Sequence, residues 1–184
     1  MSTSYTSQIV VREATQEDIA ACLQLDLSYE TDYVWQMDSR DDSGAIAISF
    51  QTVRLPRAMR VVYPRDPQAI AQRWQKRDCF LVAETSGVVR GYLLMRYDAG
   101  PGHAWITDVA IGRTWRRQTL GSLLYAEAYS RARDQQLRRL TIETQTKNYP
   151  GICFCQKHGL AFCGFNDRYY PNQDIALFFG QTVR

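Results

Sequence analysis

The chain has 184 residues, 45% hydrophobic and 22% charged, the balance of a single globular domain with one well-formed core. Its 22 basic and 19 acidic residues leave a net charge of +3, too close to neutral to imply a nucleic-acid partner, and no apolar run approaches the ~18–20 residues of a membrane helix. The polar stretch Met1–Ser7 reads as a disordered tail without a secretory signal. Cys22, Cys79, Cys153, Cys155 and Cys163 lack a C-x-x-C pair, and His103 and His158 lie far apart, which argues for reduced thiols in a cytoplasmic protein and against a metal site.

In chain order, Ile9-Val10-Val11-Arg12 reads as a short strand. Thr15 then reads as a helix N-cap, with Asp18 as a short-armed capping box before Ile19, Cys22, Leu23 and Leu27. Ala45 to Leu55 alternates, with Ile46, Ile48 and Phe50 on one side, as in a half-buried strand. Cys79 to Ala83 is a strand, Ser86-Gly87 a hairpin turn, and Val88 to Tyr97 its return. Gly100-Pro101-Gly102 is a second turn, leading to a strand from His103 to Ile111. A long helix from about Trp115 to Gln136 carries the stripe Leu120, Leu123, Leu124, Ala128 and Ala132. Leu137 to Gln145 is a strand, Tyr149 to His158 a short helix stopped by Gly159, and 161–169 and 174–180 are final strands. This order implies a mixed sheet with helices on both faces.

The stretch from Thr107 to Leu124 carries the most chemistry. An apolar strand ends, a basic turn with small residues follows, and a long amphipathic helix begins. Unsatisfied N–H groups and the helix dipole make such a start a natural diphosphate seat. Arg113, Arg116 and Arg117 would add charge, and Gly121 would let the phosphate approach the backbone. No Walker lysine and no G-x-G-x-x-G is present, so nucleotide hydrolases and Rossmann dehydrogenases fit poorly.

Arg116-Arg117-Gln118-Thr119-Leu120-Gly121 resembles the Q/R-x-x-G-x-G/A signature of GNAT N-acetyltransferases, with Thr119 in place of the first glycine. Ile142-Glu143-Thr144-Gln145, Asn148, Phe154 and Gly159-Leu160-Ala161-Phe162 resemble the streptothricin acetyltransferase branch. The resemblance implies a mixed α/β GNAT fold, a mostly antiparallel central sheet of about seven strands flanked by helices on both faces. It implies one domain over 8–184, with a variable acceptor-side half over 8–78 and an acetyl-CoA core over 79–180. Acetyl-CoA is the implied cosubstrate, with no metal. Val109, Ala110 and Ile111 would pair with the pantetheine arm beyond a strand bulge that Asp108 immediately precedes. Arg116, Arg117, Gln118, Thr119, Leu120, Gly121 and Ser122 would hold the pyrophosphate, and Asn148 would touch the CoA arm.

Acetyl transfer to an amine needs a base for the amine, stabilisation of the oxyanion and a proton for the departing thiolate. Glu143 and Asp108 are the candidate bases. At the family's tyrosine donor position stands Cys155. Either Cys155 donates, or Tyr149, Tyr169 or Tyr170 substitutes, or CoA leaves unaided. Residues 26–42 carry a net charge of −5 interleaved with aromatics, so Tyr29, Asp32, Tyr33 and Trp35 are candidate contacts for a cationic acceptor. Residues 54–77 carry +6, a solvated face or a groove for an anionic partner. The implied activity is acetyl transfer to a primary amine of a small molecule, such as an amine-bearing antibiotic, with no nucleic-acid or membrane partner. Alternatives are a protein lysine or N-terminus as acceptor, and a degenerate CoA-binding sensor. Homodimers are common in the family.

Overall fold

Two Ser-Gly pairs set the hairpins. Ser43 and Gly44 have φ of 47° and 97°, and Ser86 and Gly87 have 50° and 74°, the left-handed pairs that suit the twist of tight two-residue turns. The computed structural model that shows them describes residues 8–76, 78–98 and 102–184. The proposed tail over 1–7 and most of the Gly100-Pro101-Gly102 turn therefore lie outside the described residues.

The described elements are β1 (Ile9–Glu13), α1 (Asp18–Leu23), β2 (Tyr29–Asp42), β3 (Ala45–Val61), α2 (Ile70–Gln75), β4 (Cys79–Thr85), β5 (Val88–Asp98), β6 (His103–Ile111), α3 (Leu120–Asp134), β7 (Arg139–Gln145), α4 (Tyr149–Lys157), β8 (Ala161–Asn166) and β9 (Ala176–Thr182). Seven strands form one sheet in the order β1-β4-β5-β6-β7-β9-β8, and β2 pairs with β3 separately. The β1–β4, β4–β5 and β5–β6 ladders are antiparallel, while β6–β7 is parallel. This is the mixed, mostly antiparallel sheet that the sequence implied.

The chain divides into two compact units. The first joins residues up to Leu27 with Arg65–Glu143 and Gly180–Arg184, and the second joins Ser28–Pro64 with Thr144–Phe179. In the first unit, Phe80, Leu81, Val82 and Ala83 of β4 and Tyr92, Leu93, Leu94 and Met95 of β5 are all buried, so both faces of these strands are covered. Register puts Phe80, Val82, Tyr92, Leu94 and Asp108 on one face. There Trp74 of α2 meets Phe80 edge-on at 5.7 Å, and Phe80 meets Tyr92 at 5.8 Å. Helix α3 contributes Leu120, Leu124, Ala128 and Ala132 to the core of the same unit.

In the second unit, β2 is masked in the sequence by its charges. Tyr29, Thr31, Tyr33, Trp35 and Met37 nevertheless recur at every second position, with Glu30, Asp32, Val34 and Gln36 between them, and the strand pairs with β3 along almost its whole length. Phe50 is half-buried as expected, but Ile46 is 74% exposed and Ile48 is also exposed, because both lie towards the Ser43-Gly44 turn. Trp35 packs with Phe50, Phe162 and Phe179 at ring distances of 5.6–6.1 Å.

Helix starts also differ from expectation. Thr15 donates its N–H and hydroxyl to Asp18, as a capping residue's partner would, but α1 begins three residues later at Asp18. Arg12 grips the same carboxylate at 2.7 Å and, with the Thr15 N–H, holds it at about 2. The expected helix start at Trp115 is replaced by a 3-10 turn, Arg113–Trp115, and an extended Arg116. Helix α3 begins only after Thr119, whose φ is +67°. A β-branched residue in left-handed backbone carries a cost of about 1–2 kcal/mol that glycine avoids. Thr119→Gly is therefore expected to raise unfolding free energy by about 0.5–1 kcal/mol after the glycine's extra unfolded-state entropy, measured by urea titration.

Candidate active site

The segment after β6 is held by its own backbone. Gly112 donates to the Arg90 carbonyl at 2.9 Å, Arg113 to the Asp26 carbonyl at 2.9 Å, and the Arg90 guanidinium lies 4.3 Å from the Trp115 ring centre. Arg116 donates Nε to the Ile111 carbonyl at 2.9 Å, so this arginine clamps the strand end to the turn. Arg117 and Thr119 both have positive φ, of 63° and 67°, so the backbone turns twice through the left-handed region before the fifteen-residue α3 starts. Arg117, Gln118 and Thr119 are exposed, Gly121 and Ser122 half-buried, and Leu120 is buried in the core. An exposed arginine, a tightly turned backbone and a helix start together fit a diphosphate.

Strand β6 has two kinds of edge. Against β5 it pairs along its length except at Thr107, with Leu93↔Val109, Tyr92↔Ala110 and Gly91↔Ile111. Against β7 the parallel ladder runs only from His103↔Arg139 to Ile106↔Ile142, although both strands continue. Val109, Ala110 and Ile111 thus lie beyond the end of that ladder. The β5 register skips from Ile106 to Asp108, which makes Thr107 the bulged residue. The bulge therefore precedes Asp108, rather than following it as the sequence implied.

Asp108 and Glu143 stand just past the ladder's end, one on each strand. Both are buried, at 3% and 7% exposure. Arg73 of α2 reaches the Asp108 carboxylate at 2.8 Å, and the Thr107 hydroxyl donates to it at 2.8 Å. Arg65 lies 3.8 Å from the other oxygen of Asp108 and is in direct contact with the Glu143 carboxylate. Burial pushes the Asp108 carboxyl up to about 7, even with two guanidiniums beside it. In sequence these two arginines are indistinguishable from the rest of the basic block over 54–77, and neither is singled out there. The available signal was the pair of acidic residues inside apolar strands, because a buried carboxylate requires a cation nearby.

The remaining predicted residues belong to the second unit. Asn148 caps α4, its side-chain oxygen accepting from the Gly151 N–H at 2.9 Å. Cys155 is 1% exposed on the inner side of α4, and burial pushes its thiol up to about 12. Tyr29 is buried and donates to the Gln145 side chain at 3.2 Å, which in turn donates to Asp174 at 2.6 Å. Asp32 and Tyr33 are exposed, and the Tyr33 ring lies 5.2 Å from that of Tyr149. Trp35 is half-buried among the rings of Phe50, Phe162 and Phe179.

The acetyltransferase (GNAT) family model matches residues 50–160, more than half of the chain and the whole of the turn, the carboxylate pair and α4. The chain belongs to the GNAT acetyltransferase family. It is thus an N-acetyltransferase that takes its acetyl group from acetyl-CoA, the cosubstrate of that family. Over 175 residues it is 25% identical to the streptothricin acetyltransferase of Streptomyces lavendulae, covering 92% of this chain and 90% of that protein. The crystal structure of nourseothricin acetyltransferase superposes with a TM-score of 0.83 at 21% identity, over 96% of this chain and 99% of that one. The structure of a putative streptothricin acetyltransferase from Bacillus anthracis str. Ames in complex with acetyl coenzyme A superposes with a TM-score of 0.74 at 17% identity, over 97% and 99% of the two chains.

The carboxyl of Asp108 makes stability depend on pH with a definite sign. Its folded value of about 7 lies above its ordinary 3.8, so its stabilising contribution is complete below about pH 4 and is lost as pH rises through 7. The unfolding free energy of the native protein relative to Asp108→Asn is expected to fall by roughly 3 kcal/mol between pH 4 and pH 8, read from urea titrations. A difference independent of pH would contradict that assignment.

Proposed function

We propose that this acetyltransferase moves the acetyl group directly to a primary amine on a small, cationic molecule. The observation that carries this reading is the 25% identity to streptothricin acetyltransferase along 92% of the chain, far more than the turn between β6 and α3 alone. Strand β2 adds to it, since Asp32 is an exposed carboxylate, the kind of charge that attracts cationic molecules.

The turn from Arg116 to Ser122 receives the pyrophosphate, with Arg117 and the α3 backbone as the phosphate donors and Arg116 fixing the turn. The pantetheine arm lies along Val109–Ile111, using the strand edge beyond the β6–β7 ladder. The acceptor nitrogen attacks the thioester carbon, a C–N bond forms and the C–S bond breaks. The proton lost by the amine passes to the buried carboxylates at the end of the β6–β7 ladder, Asp108 and Glu143. Asp108 near 7 suits that task at neutral pH. Cys155 takes no part, because a thiol at about 12 is a poor proton donor to a CoA thiolate of ordinary acidity. CoA leaves as the thiolate.

The test is a panel of amines with acetyl-CoA, read by release of free CoA thiol. Streptothricin-class antibiotics and small polyamines are expected to give kcat/KM at least tenfold above peptides with free N-termini or lysines. Peptides reacting as fast as the small cations would contradict the acceptor class.

A further inference from the structure

Arg65 connects two strands at the point where they stop pairing. Its guanidinium lies 3.8 Å from Asp108 on β6 and in contact with Glu143 on β7, whereas the ladder between those strands ends at Ile106↔Ile142. Its side chain is 20% exposed, against 0% for that of Asp108 and 1% for that of Glu143, so solvent screens the pair little. Arg73 completes the set from α2, at 2.8 Å from Asp108. Two buried carboxylates within reach of one another repel unless a cation lies between them, and a planar guanidinium can serve both at once where an ammonium serves one.

We propose that Arg65 is a positioning residue of the transfer step, a guanidinium bridge that ties Asp108 to Glu143 and sets their orientation where β6 and β7 part. The proposal rests on the acetyl-transfer reading above. Arg65 touches neither acceptor nor thioester in this scheme and acts through the carboxylates. The other groups on that face of the sheet do not titrate near neutrality: burial pushes the Tyr92 phenol on β5 up, and the Cys22 thiol on α1 up to about 12. Arg73 stays charged, and Thr107 does not ionise. Asp108 is the group there that burial pushes up towards neutral pH, and the acid limb of the rate reports the bridge.

Two variants test this on the full chain, with the best amine from the panel. In Arg65→Met the buried carboxylates lose a cation, so the acid limb of kcat/KM moves to higher pH by about one unit or more. In Arg65→Lys the charge stays, so the limb remains within about 0.3 unit of wild type, while kcat falls about tenfold because one ammonium cannot hold both carboxylates. Acetyl-CoA Kd, measured by calorimetry, stays within twofold in both. A merely structural arginine would lower Tm without moving the limb. An unmoved limb in Arg65→Met, or wild-type kcat in Arg65→Lys, overturns the proposal; if Arg65→Met does not fold, Arg65→Lys decides alone. A wild type that accelerates CoA release with no amine overturns instead the acetyl-transfer reading.

Discussion

The parallel ladder between β6 and β7 stops after Ile106↔Ile142, and the chemistry of the first unit follows from what stands just beyond. Two strands that pair all the way leave no backbone for a ligand. Strands that part leave N–H and C=O groups on an edge inside the sheet, and those groups must find another partner. An extended acyl-carrying arm is such a partner. The bulge at Thr107 lies at the same place, so the break in the ladder and the change in strand register coincide.

Placing carboxylates at that break carries an electrostatic demand. Asp108 and Glu143 are buried in strands whose neighbours are mostly apolar, and each would be costly as a lone anion. Arg65 and Arg73 meet the demand, from a segment more than thirty residues before the nearer carboxylate in sequence. Residues 65 and 73 are therefore unlike the rest of the basic block. Arg54, Arg57 and Arg60 lie exposed on β3 in the other unit, where solvent supports their charge. One charge run in sequence thus divides into two populations with different physics.

Local chemistry made much of the fold legible. The Ser86-Gly87 turn, the apolar run of β4, the stripe of α3 and the Gly159 stop after α4 are short-range features, and each appears close to where the residues placed it. Strand β2 was missed because its acidic residues mask its alternation, and α2 because six residues with one apolar i,i+4 pair, Ile70 and Trp74, give a weak signal. The turn between β6 and α3 was readable from its arginines and glycine. Its left-handed Thr119 was foreseeable as a strained substitution but not as the residue that delays the helix. The arginine bridge was not readable at all, since nothing local links 65 to 108 and 143.

The division of β6 into a paired and an open edge can be measured directly by amide hydrogen exchange with and without acetyl-CoA. Added acetyl-CoA is expected to slow exchange in Val109–Ile111 and in residues 117–122, with β4 and the 103–106 segment unchanged. Protection confined to other parts of the chain, with 109–111 exchanging as fast as before, would contradict the assignment of that edge to the pantetheine arm.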